Sequence, residues 1–208
     1  MRTRNLKVYR KIVSIVNETS MGIYKNLGSD KIGFLLESYD KDYDRYTFMG
    51  VEPEEIICSS GQSIVIKGRN GEKEVIEGNP IDILKDYYNH FHVEREPGEL
   101  AFMGGLVGSL GYDYIRYTEV LPDNNPDEIG IETVQLMLAT KFIVIDHVAE
   151  TLSAVILYEG GEEGKKAAQG EAEVLLEKAL TDREEEKKEF VHDGVIVKKS
   201  DTLEEYSE

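Results

Sequence analysis

What most constrains the fold of this chain is a succession of short apolar runs separated by turn signals. Ile32 to Glu37, Tyr46 to Val51, Ile56 to Ser59 and Ser63 to Lys67 each have strand length and composition, with Gly61-Gln62 and Asn70-Gly71 supplying hairpin turns. Val8 to Val16 reads as a further strand, and Thr133 to Asp146 with Thr151 to Tyr158 as two long strands around a tight turn. Helices come between them. Glu18 to Leu27 is a short one stopped by Gly28, and Asn79 is an N-cap with Pro80 at the first helical position. From there Ile83, Leu84, Tyr87, Tyr88 and Phe91 recur at helical spacing as a core stripe. A long helix from Glu162 to Lys188 sets Ala168, Ala172, Leu175 and Ala179 on one side, with Leu176 and Leu180 beside them. The expected class is therefore α+β, a largely antiparallel sheet with flanking helices.

Composition bounds the partners. Among 208 residues, 41 acidic side chains face 24 basic ones, a net charge of −17, which argues against a nucleic-acid or anionic-membrane partner because phosphate neutralisation needs clustered Lys and Arg. Much of the acidity lies between Glu159 and Glu189, the composition of a solvated helix face. A hydrophobic content of 40% permits a real core. One cysteine, Cys58, cannot form an internal disulfide, and the apolar stretch Ile12 to Val16 is too short for a signal sequence or a spanning helix. The expected location is cytoplasmic.

Two segments carry more than fold information. The run Ile32 to Leu36, a buried strand by pattern, ends abruptly in Glu37 and Ser38, so a carboxylate and a hydroxyl stand where apolar wall meets solvent. That pairing suits the ammonium and carboxylate of an amino acid. The second segment, Gly104-Gly-Leu-Val-Gly-Ser-Leu-Gly-Tyr-Asp-Tyr-Ile-Arg116, is neither a phosphate loop, since no Gly-Lys-Ser/Thr closes it, nor a dinucleotide fingerprint. Val107 removes the nucleophile-elbow reading of Ser109. These are packing glycines, followed by a short helix on which Asp113 can accept from Arg116. His90 and His92 point in different directions and lack a third ligand nearby, and His147 reads as a solvated turn residue. No Ser-His-Asp or Cys-His constellation stands out in the sequence.

Taken in order, Leu35-Leu-Glu-Ser38, Arg45-Tyr-Thr-Phe-Met-Gly50 with Pro53, Asn79-Pro80, the glycine segment with Glu119, and Asp146-His147 resemble the N-terminal region of anthranilate synthase component I, a chorismate-utilising enzyme. The resemblance runs from about 16 to about 180. It implies a part of a lyase subunit that converts chorismate and ammonia to anthranilate and pyruvate in tryptophan biosynthesis, the ammonia coming from a glutamine amidotransferase subunit, component II. It also implies L-tryptophan as feedback inhibitor, lined by Leu36, Glu37 and Ser38, with Arg45 bordering the site. Mg2+ and the catalytic groups are implied in the family's C-terminal half, which no segment here resembles. Residues 1–190 would then be the regulatory domain. Residues 191–208, a strand over Phe190 to Lys199 and a capped helix from Ser200, would be the truncated start of the chorismate-binding domain. The corresponding part of aminodeoxychorismate synthase, or a stand-alone amino-acid-binding regulatory module, are the alternatives.

Overall fold

The computed structural model describes residues 2–15, 18–37, 45–94, 100, 102–122, 127 and 129–181. Its strands are β1 (Arg4–Ser14), β2 (Gly33–Leu36), β3 (Tyr46–Val51), β4 (Glu55–Ser59), β5 (Ser63–Gly68), β6 (Lys73–Glu77), β7 (Phe91–Val93), β8 (Gly105–Leu110), β9 (Val134–Ala139), β10 (Lys141–Asp146) and β11 (Thr151–Tyr158). Its helices are α1 (Ser20–Gly28), α2 (Pro80–Asn89) and α3 (Glu162–Leu180), with a 3-10 turn over Tyr112–Tyr117. The strands form two sheets, ordered β2-β3-β10-β11-β1-β7 and β6-β5-β4-β9-β8. The class is α+β as expected. All pairings are antiparallel except β1 with β7, where Arg4 lies beside Phe91 and Leu6 beside Val93.

Four layers result, and three apolar clusters bind them. Ile23, Leu27 and the α3 residues Ala168, Ala172, Leu176 and Ala179 cover one face of the six-stranded sheet at Met49, Ile143, Leu152 and Ile156. Its other face packs Phe34, Phe142, Val144 and Val155 against Ala139, Met137 and Val107 of the second sheet, with Met103 and Leu100 filling between. Beyond that sheet Ile57, Ile64, Ile66 and Val134 meet Ile83 and Leu84 of α2. β10 and β11 thus have protein on both faces. This explains why they read as unbroken apolar runs rather than alternating ones.

The helix caps follow local chemistry. Thr19 accepts from the Gly22 N–H at 3.0 Å, so α1 begins at Ser20 and not at Glu18. Asn79 accepts from the Ile81 N–H at 2.9 Å and donates to the Tyr117 carbonyl at 2.7 Å, tying α2 to the 3-10 turn. Inside that turn Arg116 Nε donates to Asp113 at 2.8 Å, the pairing expected of these residues.

Several expectations need correction. The single strand over Thr133 to Asp146 is two strands in different sheets, broken at buried Thr140, whose carbonyl accepts from the Leu157 N–H at 2.8 Å. The first strand starts at Arg4 because Arg4 to Leu6 pair with β7, beyond the stretch Lys7 to Ser14 that pairs with β11. Ile32 to Leu36 is not a buried strand: β2 is an edge strand on which Phe34 is buried while Ile32 and Leu36 are 60% and 48% exposed. The stripe on α2 ends at Tyr87, since Tyr88 is 62% exposed and Phe91 belongs to β7. On α3, Leu180 is exposed and Leu175 only partly buried, whereas the small residues and Leu176 make the packed face. The continuation of α3 to Lys188, the strand from Phe190, the helix from Ser200 and the boundary between 1–190 and 191–208 lie outside the described residues.

Two of the glycines act as packing glycines in a demonstrable way. Gly104 has φ +103°, and a Cβ there would collide with Leu157 and come within 2.8 Å of the Ala139 carbonyl, at the point where the chain passes from one sheet to the other. At Gly108, φ +152°, a Cβ would fall on the Gln135 carbonyl of the paired strand. The close approach of β8 to β9 requires both.

Candidate functional site

β2 and β3 are neighbours with Leu36 opposite Phe48 and Gly33 opposite Val51. Antiparallel pairing therefore brings the exit of β2, at Leu36 and Glu37, and the entry to β3, at Arg45, to the same end of the sheet. Leu36 presents a half-exposed apolar side chain there and Glu37 is exposed. Ser38, the third residue expected at this site, lies outside the described residues.

Arg45 is held from below by β10. Its Nε donates to Asp146 Oδ1 at 3.0 Å and Oδ2 at 3.1 Å, and its Nη2 to Oδ2 at 2.7 Å. Asp146 is buried at the end of the strand and also accepts from the Val148 and Ala149 N–H groups at 3.1 and 3.0 Å. The Arg45 hydrogen bonds, with help from those two backbone donors, hold the Asp146 carboxyl below its ordinary range against the opposing effect of burial. The same pairing raises Arg45. The guanidinium lies 5.1 Å from the Tyr46 ring centroid, in cation–π range, and Thr47 Oγ1 is 2.8 Å from His147 Nε2. With Nε and Nη2 committed to Asp146, Nη1 is the part of the fork left to face solvent or a ligand.

This end of the sheet can thus offer an apolar surface at Leu36, a carboxylate at Glu37 and an oriented guanidinium at Arg45. Among the described residues its hydroxyl–imidazole contact is Thr47 with His147, and Thr47 is buried, out of reach of a ligand. Among the described residues no group of three His, Cys, Asp or Glu side chains could hold a metal ion, and no helix is long and apolar enough to cross a membrane. Sequence reasoning placed Arg45 here but missed Asp146 as its partner. The available signal was a carboxylate closing an apolar strand and followed by a tight turn, a position where a buried charge must find a cation.

No protein-family model matches the chain. Curated relatives do. It is 31% identical over 141 residues to anthranilate synthase component 1 of Acetivibrio thermocellus, covering 67% of this chain and 28% of that protein. With the Pseudomonas putida enzyme of the same name it shares 31% identity over 171 residues, 76% of this chain and 34% of the relative. Among solved structures, anthranilate synthase component I from Streptococcus pneumoniae TIGR4 superposes with a TM-score of 0.50 at 26% identity, over 69% of this chain and 31% of that one. The chain spans about a third of the length of the curated relatives it matches. By sequence and by fold it is a homologue of anthranilate synthase component I over roughly seven tenths of its own length.

Proposed function

We infer that this chain is the N-terminal, tryptophan-sensing region of an anthranilate synthase component I, and that residues 1–208 alone are not catalytic. The whole enzyme, a lyase of tryptophan biosynthesis, would convert chorismate and ammonia to anthranilate and pyruvate in the cytoplasm. Ammonia would come from the glutamine amidotransferase subunit, component II, and Mg2+ and the acid/base groups would belong to the remaining part. The observation that carries this reading is one of proportion: most of the chain aligns with anthranilate synthases, yet it accounts for only about a third of each.

In this reading L-tryptophan sits at the exposed end of β2, with its indole on Leu36 and its polar groups answered by Glu37, Ser38 and Arg45. Inhibition then requires only that tryptophan bind one conformational state of the enzyme better than another. The test is the kinetics of the full-length Ser38→Ala enzyme. Loss of one hydrogen bond to a charged ligand group costs about 1.5–3 kcal/mol, so the inhibitory tryptophan concentration should rise by about one to two decades. Turnover without tryptophan should stay nearly constant. Unchanged sensitivity to tryptophan, or activity lost without it in a folded variant, would remove the inhibitor from this position.

A further inference from the structure

A second cleft lies at the other end of β3, five residues and about 17 Å along the strand from Tyr46. It opens between α3 and the ends of β3 and β10 with a volume near 480 Å3, within the size range of small-molecule sites. Leu27 and Met49 are fully buried beneath it, and Val174 and Leu175 form an apolar wall on α3.

The rim carries the opposite sign to the molecule. Arg69, Lys141, Lys166 and Lys178 face Glu52 and Glu171. Lys141 pairs with Glu171 at 2.5 Å, and Glu52 is shared between Lys31 at 2.8 Å and Lys178 at 4.0 Å. Arg69 donates to the carbonyls of Glu52 and Pro53, and after Lys31 and Lys178 its charge also helps hold the Glu52 carboxyl below its ordinary range. Lys166 has no ion-pair partner among the described residues. On a chain of net charge −17 this is a local surplus of cations around an apolar wall.

Gly170 supplies an independent observation. It stands in the middle of the 19-residue helix α3, where glycine is less favourable than alanine, and it lines the cleft. A Cβ placed on it meets nothing within 4 Å, so neither backbone contact nor crowding calls for glycine there. A side chain at 170 would stand in open space at the rim of the cleft.

We propose that this cleft is a binding site for a small amphipathic carboxylate, its apolar body against Val174 and Leu175 and its anionic group at Lys166. The site is separate from the β2 end and does not rest on the function inferred above. 2-Naphthoate is a suitable probe and 2-naphthalenemethanol its neutral counterpart. Titrated into the full isotope-labelled chain, 2-naphthoate should bind saturably and shift the amide resonances of Gly170, Val174 and Leu175. Gly170→Phe should weaken it by at least about tenfold by overfilling the space. Gly170→Ala should retain binding with an equal or higher melting temperature. Lys166→Glu, an exposed change, should weaken the naphthoate by about two- to fivefold and leave the alcohol unaffected. No saturable binding, shifts located away from α3, or undiminished affinity in Gly170→Phe would overturn the site. Equal responses of acid and alcohol to Lys166→Glu would overturn its anionic ligand class.

Discussion

Asp146 is the residue on which most of the local electrostatics turns, because it is a carboxylate buried at the end of an apolar strand and answered by Arg45 and two backbone N–H groups. Asp146→Ala should cost about 2–3 kcal/mol of stability, since the lost bonds are charge-assisted and the donors are left facing one another. Arg45→Ala, at a half-exposed position, should cost less. The pH dependence has a definite sign. With its folded-state pKa lowered, Asp146 contributes stability in full above the ordinary carboxylate range. That contribution fades as pH falls through the ordinary value toward the lower folded one, and is absent in Asp146→Ala. Urea unfolding of both proteins between neutral and acid pH checks it, the curves converging at the acid end. Gly108→Ala is the steric counterpart: its Cβ would meet the Gln135 carbonyl, and a loss of about 2 kcal/mol or more is expected in the same assay. The need for glycine was legible in the apolar surroundings of the segment. The Arg45–Asp146 pair was not, since the two residues are 101 positions apart and nothing local links them.

At the scale of elements, α2 shows how a cap can serve two purposes. Asn79 satisfies the first turn through Ile81 and fastens the 3-10 turn through Tyr117. Asn79→Ala should therefore lose about 1 kcal/mol for the cap and more for the tether, whereas Asn79→Ser should recover the cap alone. Comparison of the two by urea denaturation separates these contributions. The cap, Pro80 and helical spacing were readable because they depend on residues within four positions of one another. The split of the β9 and β10 segment was not readable. Its apolar pattern runs on through Thr140, and what breaks it is the change of sheet, where the Thr140 carbonyl accepts from the Leu157 N–H. β2 was misread as buried for a related reason: an apolar run states what a strand can cover, not whether a further strand lies beside it.

For the whole molecule, seven exposed apolar side chains fall between Leu110 and Ile131, namely Leu110, Tyr112, Ile115, Val120, Leu121, Ile129 and Ile131, and β2 and β8 are both edge strands. Such a surface favours association, while a net charge of −17 opposes it. The expected outcome is reversible self-association that strengthens as salt screens the charge, measured by sedimentation at several salt concentrations. A monomer at every concentration and ionic strength would contradict it. What the sequence by itself determined were the features of short range and of composition: the helices and part of the strands, the caps, the hairpin turns, the glycine positions, the mixed class and the order of segments shared with anthranilate synthases. The tertiary structure alone decided how eleven strands divide between two sheets, which of them lie at edges, which carboxylate holds Arg45, and that an apolar cleft opens beside Gly170. The physical reason is that backbone dihedrals and capping bonds are settled within a few residues. Burial, ion pairing and open space are settled by surfaces that meet only after the chain has folded.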